Sequence, residues 1–311
     1  VGLILALYCC RYTRDYNSYV YYLSFSPGQI LSKIVSIEPL FAVMLLITKI
    51  FSSSVIFLYF LSSIIIILLF NLAIREYSDN TILSLIIFYL FFGPTLLFTQ
   101  IRQGIAVGFF LLSLKDIIDK NIIGFTKKIL LATMFHYSAF FLFPLFFLTK
   151  KIVRIFLLLV PLLGLVLKSL LTYDILISIV GTFPEFLRSK ILVYLNESIM
   201  GLHEINLFNK GFISILIIYY FFLLFIKTKK ESDLMALKLL GLGIFLWLGL
   251  SAVPIWSFRI TNYFFISIAI LLPRIVSCVK DPSFKLLLSV LIIIYSCFAF
   301  YESLATRVIA L

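Results

Sequence analysis

Residues 50–74 read IFSSSVIFLYFLSSIIIILLFNLAI, an uncharged run that fills the whole interval between Lys49 and Arg75. An α-helix rises about 1.5 Å per residue and a bilayer core is about 30 Å thick, so about 20 apolar residues cross it. The run therefore predicts one membrane-spanning helix over 52–73. This stretch decides the fold class, because similar runs recur along the chain.

The composition agrees with lipid as the solvent of the chain. Hydrophobic residues make up 63% of the 311 positions and charged residues 13%, which is too few for a soluble surface. We predict an all-α, polytopic integral membrane protein of about 9–11 transmembrane helices with re-entrant or interfacial segments. It would form a single membrane domain, 1–311. Further uncharged or nearly uncharged runs lie at 80–101 (with a kink at Gly93-Pro94), 103–114, 129–149, 155–167, 211–226, 239–258, 260–273 and 286–301.

Three segments do not fit a simple span. Residues 39–48 are too short to cross a bilayer unaided, so a re-entrant segment and a span with a snorkelling Lys49 both remain open. Residues 11–38 are rich in tyrosine and are expected at the membrane–water interface on the outer face of the membrane. Residues 172–210 form a long loop, expected at the outer face, whose part 186–195 could form an amphipathic surface helix.

The net charge of +12 has a membrane explanation. Lys and Arg collect in cytoplasmic loops near anionic lipid, so we expect membrane lipid as a partner and no nucleic acid. This rule places 227–238 and 274–285 inside. In the N-terminal half the basic segments 115–128 and 150–154 flank a single span, and the rule leaves their sides unresolved.

Charged or titratable side chains inside apolar runs are costly, and their default interpretation is functional. Arg102, His136 and Arg259 each interrupt such a run, and a fourth group lies around the first polar stretch: Arg11, Arg14, Asp15 and Glu38. Structural alternatives stay open. The arginines could be helix-end residues, and His136 could make an interhelical hydrogen bond through Tyr137 or Ser138. Asp15 and Arg14 could be ordinary loop charges.

These residue types suit glycosyl transfer from a lipid diphosphate. The planar guanidinium of arginine binds phosphate oxygens in pairs and can stabilise the charge on a departing diphosphate. A nearby His, Asp or Glu could take the proton of an attacking sugar hydroxyl. Cysteine and histidine spacing gives no sign of a metal site, and we expect no metal or other cofactor.

The sequence resembles the EpsG/Wzy group of bacterial polysaccharide polymerases in four ordered pieces. The pieces are R-x-x-R-D-Y-x-x-Y at 11–19 with Glu38-Pro39-Leu40-Phe41, then Ile101-Arg102-Gln103 with Ile105-Ala106, then Ala132 with 135–139 (FHYSA) ahead of Pro144, and finally Arg259 with Tyr263-Phe264 ahead of Leu271-Leu272-Pro273. Each piece is weak alone, and the ordered set spans 11–273.

The resemblance implies a membrane glycosyltransferase of the bacterial plasma membrane. It would join undecaprenyl-diphosphate-linked oligosaccharide repeat units at the outer face, for O-antigen, capsule or exopolysaccharide, without a nucleotide sugar. Donor and acceptor would both be lipid-linked units, and a chain-length regulator protein is an optional partner. A flippase or transporter of lipid-linked glycan, an O-antigen ligase and a membrane acyltransferase are the alternatives.

The resemblance also assigns residues. It implies Arg102 and Arg259 as catalytic groups that bind diphosphate or glycan, with Asp15 or His136 as the base and Glu38 as a lesser candidate for that role. The implied substrate-binding set is Arg11, Arg14, Tyr16, Tyr19, Glu38, Gln103 and Tyr263. The assignment requires these residues to share one face, which favours Arg102 outside and the four-lysine segment 115–128 inside.

Overall fold

The computed structural model describes residues 2–149, 154–171, 173–185, 206–226 and 230–304, together with 188–189, 192–193 and 195. The chain is all-α, as the sequence predicts, and no β-strand occurs in these described ranges. Half of the residues 186–195, where the sequence predicts an amphipathic helix, lie outside them. The basic residues at 150–151 and 227–229 lie outside them as well.

The chain divides into two compact units, 1–149 with 272–311, and 150–271. The first unit begins with short helices and continues with longer ones. Its α-helices are α1 (Gly2–Cys9), α2 (Tyr16–Ser24), α3 (Pro27–Ser32), α4 (Ile34–Ile37), α5 (Pro39–Phe51), α6 (Val55–Tyr77), α7 (Thr81–Ile87), α8 (Ile101–Ile118) and α9 (Ile122–Phe135). A 3₁₀ turn at Cys10–Tyr12 and a 3₁₀ helix at Tyr137–Thr149 complete this part.

The second unit contains α10 (Arg154–Leu158), α11 (Val160–Leu170), α12 (Tyr173–Gly181), α13 (Lys210–Phe225), α14 (Glu231–Gly249) and α15 (Pro254–Phe265). The next helix, α16 (Ile268–Cys278), begins in this unit and ends in the first. The last helix is α17 (Pro282–Ser303), which belongs to the first unit.

Several of these helices can cross a membrane. Among the described residues, four helical segments are long and apolar enough: Val55–Tyr77, Glu231–Gly249, Pro254–Cys278 and Pro282–Ser303. A bent pair at Val160–Leu170 and Asp174–Gly181, with an angle of 84°, would make a fifth. The chain is therefore a multi-pass membrane protein. The higher count from the sequence also included shorter apolar helices, found at Pro39–Phe51, Thr81–Phe92, Tyr137–Leu148 and Lys210–Phe225.

Helices α8 and α9 form a hairpin in the first unit. Asp119 ends α8, and the Asn121 side chain caps α9 by accepting a hydrogen bond from the Gly124 N–H at 3.0 Å. Lys120 lies between them with φ of 56°, which turns the chain sharply. The hairpin returns the end of α9 toward the start of α8.

The start of α8 is fixed by close packing. Between α7 and α8 the chain forms two π-helical stretches, Phe88–Phe92 and Pro94–Thr99, on either side of Gly93. The kink expected at Gly93-Pro94 thus takes the form of widened helical turns. Gly104 lies so close to the Leu96 carbonyl that a Cβ at this position would sit 2.3 Å from the oxygen.

The short segment left open by the sequence is α5. Its 13 residues span about 20 Å, which is less than a bilayer core. Lys49, in its last turn, donates a hydrogen bond from Nζ to the Leu23 carbonyl at 2.8 Å. This contact joins α5 to the C-terminal turn of α2, where a helix favours positive charge.

The second unit has an aromatic core. The indole of Trp247 on α14 stacks on Phe212 at 5.6 Å between ring centroids and meets Phe258 edge-on at 4.9 Å. Its Nε1 donates to the Leu207 carbonyl at 3.3 Å. Together these contacts hold α13, α14 and α15 against one another.

Candidate functional site

Glu38 lies at an unusual point of the backbone. It connects α4 to α5 with φ of 81° and ψ of 129°, a conformation that is strained for a residue with a side chain. Pro39 follows, and a proline disfavours helical backbone in the residue before it. The break between α4 and α5 turns the Glu38 carboxyl into the protein, where it is 3% exposed.

The Glu38 carboxylate forms an ion pair with Arg102. Nη1 of Arg102 donates to Oε2 at 2.6 Å, and the Arg102 side chain is 17% exposed. Arg102 is the second residue of α8, directly after the break at Gln100. Two helix starts, those of α5 and α8, therefore meet through this pair. A buried pair of this kind is costly to break, because either charge would then lack its partner.

Two aromatic rings flank the Arg102 guanidinium. Its Cζ lies 5.6 Å from the ring centroid of Tyr22 and 5.3 Å from that of Phe41. These distances are within the range of cation–π attraction. Because Tyr22 is on α2 and Phe41 is on α5, the guanidinium holds both helices to α8.

His136 completes the group. It ends α9, and its backbone N–H donates to the Ala132 carbonyl while its own backbone turns to an extended conformation. Its imidazole is 13% exposed, and Nδ1 lies 3.7 Å from Oε1 of Glu38. The Arg102 and His136 side chains thus face the two oxygens of one carboxylate. The three residues are called the Glu38 cluster below.

Tyr137, the residue after His136, holds the helical segment that precedes Glu38. The Tyr137 hydroxyl donates to the backbone carbonyl of Val35 in α4. This contact connects the segment after α9 to the segment before α5. The hydrogen bond therefore limits how far Glu38 and His136 can move apart.

The opposite end of the hairpin carries ordinary ion pairs. Lys115 on α8 pairs with Glu76 at the end of α6, and Lys128 on α9 pairs with the buried Asp116. Thirteen residues separate Arg102 from Lys115, which corresponds to about 20 Å along a helix axis. The Glu38 cluster therefore lies at the open end of the hairpin, whereas Lys115 and Lys120 lie at its turn.

Two tyrosines of the predicted substrate-binding set lie on α2, beside the Glu38 cluster. Tyr19 is buried, meets Phe41 and Tyr59 edge-on, and donates from its hydroxyl to the Thr99 carbonyl at 3.2 Å. Tyr16 is half-buried and stacks on Tyr59. Tyr19 thus fixes α2 to the turn before α8, and its substrate contact stays a prediction.

The predicted charges before α2 lie at or near the surface of the first unit. Arg11 and Arg14 are exposed, while Asp15 is half-buried at the start of α2. Gln103, next to Arg102, is buried. The binding roles of Arg11, Arg14 and Gln103 and the role of Asp15 as a base stay predictions.

Arg259 and Tyr263 lie on α15 of the second unit. Arg259 is half-buried and Tyr263 is fully buried. Within the first unit, the structure brings together Glu38, Arg102 and His136 from the predicted set. The shared face expected for all the site residues stays a prediction.

Two residues of the site were missed in the assignment from the sequence. Tyr22 is one of several tyrosines in the first polar stretch, and no spacing rule distinguishes it from the others. Phe41 belongs to the motif Glu38-Pro39-Leu40-Phe41 but was given no role. Three residues beyond Glu38 is about one helical turn, and this spacing could have indicated that Phe41 faces the same group.

The Glu38 cluster combines three different polar groups. Within the described ranges, no three His, Cys, Asp or Glu side chains come together as a metal site would require. One carboxylate, one guanidinium and one imidazole can bind hydroxyl or phosphate groups and exchange a proton. The fold and this site define an all-α, multi-pass membrane protein with a buried polar centre.

A comparison with protein-family models gives the family. The EpsG family model matches residues 1–309, so the chain belongs to the EpsG family, a family of exopolysaccharide-related membrane proteins. No curated protein and no solved structure matches the chain. Membership in this family relates the protein to polysaccharide biosynthesis.

Proposed function

We propose that the protein is a polysaccharide repeat-unit polymerase of the bacterial plasma membrane. It joins oligosaccharides carried on undecaprenyl diphosphate at the outer face of that membrane. The growing chain leaves its own carrier and is transferred to the next lipid-linked unit. Family membership supports the pathway, and the Wzy-like motifs of the sequence support the reaction.

The observation that carries the proposal is the Glu38 cluster. A buried ion pair is rarely the most stabilising solution in an apolar interior, so its retention favours a functional reason. Glu38 adds a strained backbone, and such strain concentrates at functional sites. A carboxylate shared by an arginine and a histidine suits proton transfer from a sugar hydroxyl next to a developing charge.

The reaction needs few groups when the donor carries its own leaving group. The acceptor hydroxyl attacks the anomeric carbon of the donor, and the bond from that carbon to the diphosphate oxygen breaks. The bond electrons leave with undecaprenyl diphosphate, and a base takes the hydroxyl proton. His136 or Asp15 is that base, and Arg102 and Arg259 bind the diphosphate or the glycan.

The test is a deletion strain analysed by gel electrophoresis of its surface glycan. We expect single repeat units on the lipid carrier or on the final acceptor, and no ladder of longer chains. Complementation with Arg102→Ala or Arg259→Ala should leave the same single-unit pattern. Lys115→Ala is the matched control, because Lys115 is exposed on the same helix about 20 Å away. It should restore the ladder.

The outcomes separate the alternatives. Long chains in the deletion strain would contradict the polymerase proposal. Loss of single units at the outer face, with lipid-linked units retained inside, would indicate a flippase. Chains of normal length that stay on the lipid carrier and never reach the final acceptor would indicate a ligase.

A further inference from the structure

We infer that the Glu38 cluster is the subsite for the acceptor sugar hydroxyl and that it is not the site of the lipid diphosphate. Glu38 is the positioning residue of this subsite, since it holds Arg102 and faces His136. The inference rests on the proposed polymerase function. It assigns the acceptor sugar to the Glu38 cluster.

The charge of the cluster argues against a diphosphate. Arg102 Nη1 is already 2.6 Å from a Glu38 oxygen, so the pair together carries no net charge. A diphosphate that approached Arg102 would also approach this carboxylate. At low dielectric, repulsion between like charges a few ångströms apart is large. A neutral hydroxyl meets no such repulsion and can accept a hydrogen bond from the guanidinium.

The burial of the cluster gives an independent argument. Its three side chains are 3%, 17% and 13% exposed, for Glu38, Arg102 and His136 in that order. A diphosphate would have to lose much of its hydration to reach them, and the cost of burying a charge is high. A sugar hydroxyl loses far less on the same path.

The aromatic ring of Tyr22 fits a sugar. Tyr22 flanks the guanidinium at 5.6 Å and is half-buried, so the polar group and an accessible aromatic ring occur together. A sugar ring has the matching composition, with hydroxyls on its edge and C–H groups on its faces. A diphosphate offers no surface to an aromatic ring.

The orientation of His136 supplies the direction of proton transfer. Because Nδ1 faces Oε1 of Glu38, Nε2 lies on the far side of the imidazole. In the transfer step the acceptor oxygen bonds to the anomeric carbon and its proton passes to Nε2. The carbon–oxygen bond to the diphosphate breaks, and undecaprenyl diphosphate leaves with the electron pair. The Glu38 carboxylate then stabilises the imidazolium.

The experiment tests the lipid diphosphate and the glycan separately. The probes are undecaprenyl diphosphate without sugar, and the free repeat unit released by mild acid from lipid extracts of the deletion strain. Binding of undecaprenyl diphosphate to the purified full chain in detergent is measured directly. The free repeat unit is assayed as an inhibitor of polymerisation by the purified protein.

The variants are Glu38→Gln and the double variant Glu38→Gln with Arg102→Gln. The double variant removes both charges together, and a pair replaced as a whole is tolerated better than one buried charge left alone. The control is Glu76→Gln with Lys115→Gln, an exposed pair between α6 and α8 in which Lys115 shares its helix with Arg102. Only folded, monodisperse protein is compared.

We expect both cluster variants to bind undecaprenyl diphosphate within about twofold of the wild type. Polymerisation should fall at least about tenfold, as for one lost hydrogen bond to a charged group. For Glu38→Gln, the free repeat unit should need at least about tenfold higher concentration to inhibit the residual activity. Glu38→Asp, which keeps the carboxylate, should recover part of the activity, because a positioning role needs the charge.

Two results would overturn the inference. One is a tenfold or greater loss of undecaprenyl diphosphate binding in either cluster variant, and the other is unchanged inhibition by the repeat unit in Glu38→Gln. A wild-type protein that does not polymerise lipid-linked units would instead refute the proposed function. The two failures are therefore distinguishable.

Discussion

Replacing Gly104 by alanine is expected to disable the site without touching any residue of the Glu38 cluster. The new Cβ would lie 2.3 Å from the Leu96 carbonyl oxygen and 2.7 Å from Cδ1 of Ile66. The isoleucine can rotate, but the carbonyl belongs to the backbone of a π-helical turn. Helix α8 must move away from that turn by about 0.7 Å before the contact relaxes to 3.0 Å.

The size of this shift sets the expected loss. Arg102 precedes Gly104 by two residues, so a rigid displacement of the helix start carries its guanidinium along. An Nη1–Oε2 distance of 2.6 Å would grow to about 3.3 Å, which exceeds the usual hydrogen-bond range. Overpacking costs about 1–3 kcal/mol of stability, and a misplacement of about 1 Å can cost about a hundredfold in rate.

The assay measures both effects in one preparation. Chain length is scored by gel in the complemented deletion strain, and the half-life of the folded protein is measured in detergent at a fixed temperature. Gly28→Ala is the matched control, because no atom lies within 4 Å of a Cβ built at this position. It should retain both properties.

Two results would refute the reasoning. A Gly104→Ala protein with the half-life and ladder of the wild type would show that the close approach to Leu96 is unnecessary. A less stable protein that still makes full-length chains at the normal rate would show that α8 does not transmit the shift to Arg102.

Three further substitutions test single contacts. Arg102→Lys should fail to restore long chains on the gel, because a lysine ammonium lacks the planar fork that lies between the two rings. Tyr19→Phe removes the hydrogen bond to the Thr99 carbonyl and should lower stability by about 0.5–1.5 kcal/mol, measured by denaturation in detergent. A Cβ at Gly124 would lie 2.3 Å from Oδ1 of Asp116, so Gly124→Ala should destabilise the hairpin by about 1–3 kcal/mol in the same assay. Its remaining folded fraction should polymerise normally, and a ladder lost from fully folded Gly124→Ala protein would contradict the separation of the two hairpin ends.

The helical class and several local features could be predicted from the sequence because they depend on local composition. The uncharged run before Arg75 gives α6, and Gly93-Pro94 gives the irregular turns ahead of α8. Segment 39–48 could not be resolved in this way. Its outcome depends on Lys49 reaching the Leu23 carbonyl, a contact across 26 positions that no local rule anticipates.

The candidate site could be predicted only as a set of unusual residues. Arg102 and His136 stood out because each interrupts an apolar run. Glu38 was given a weaker role, since it lies in a polar stretch where a carboxylate attracts little notice. Its importance comes from the positive φ and the ion pair, and both arise from how α4, α5 and α8 pack. Such packing cannot be predicted from the sequence of any single segment.

One long-range relation could nevertheless be read from the sequence. Asp119 lies seventeen residues after Arg102 and seventeen before His136. Once a helical hairpin is assumed to turn at Asp119–Asn121, equal rise on both arms brings Arg102 and His136 to the same level. The same argument leaves Lys115 and Lys120 beside the turn, about 20–25 Å away. A site at one end and a basic turn at the other match the positive-inside rule when the site faces outward, which is where the proposed polymerase would meet its lipid-linked substrates.

The unresolved orientation of the N-terminal half is therefore best tested at the hairpin itself. Cysteines introduced at Lys120 and at Ser36 should be labelled by membrane-impermeant reagents from opposite sides, and labelling from one side would contradict this orientation.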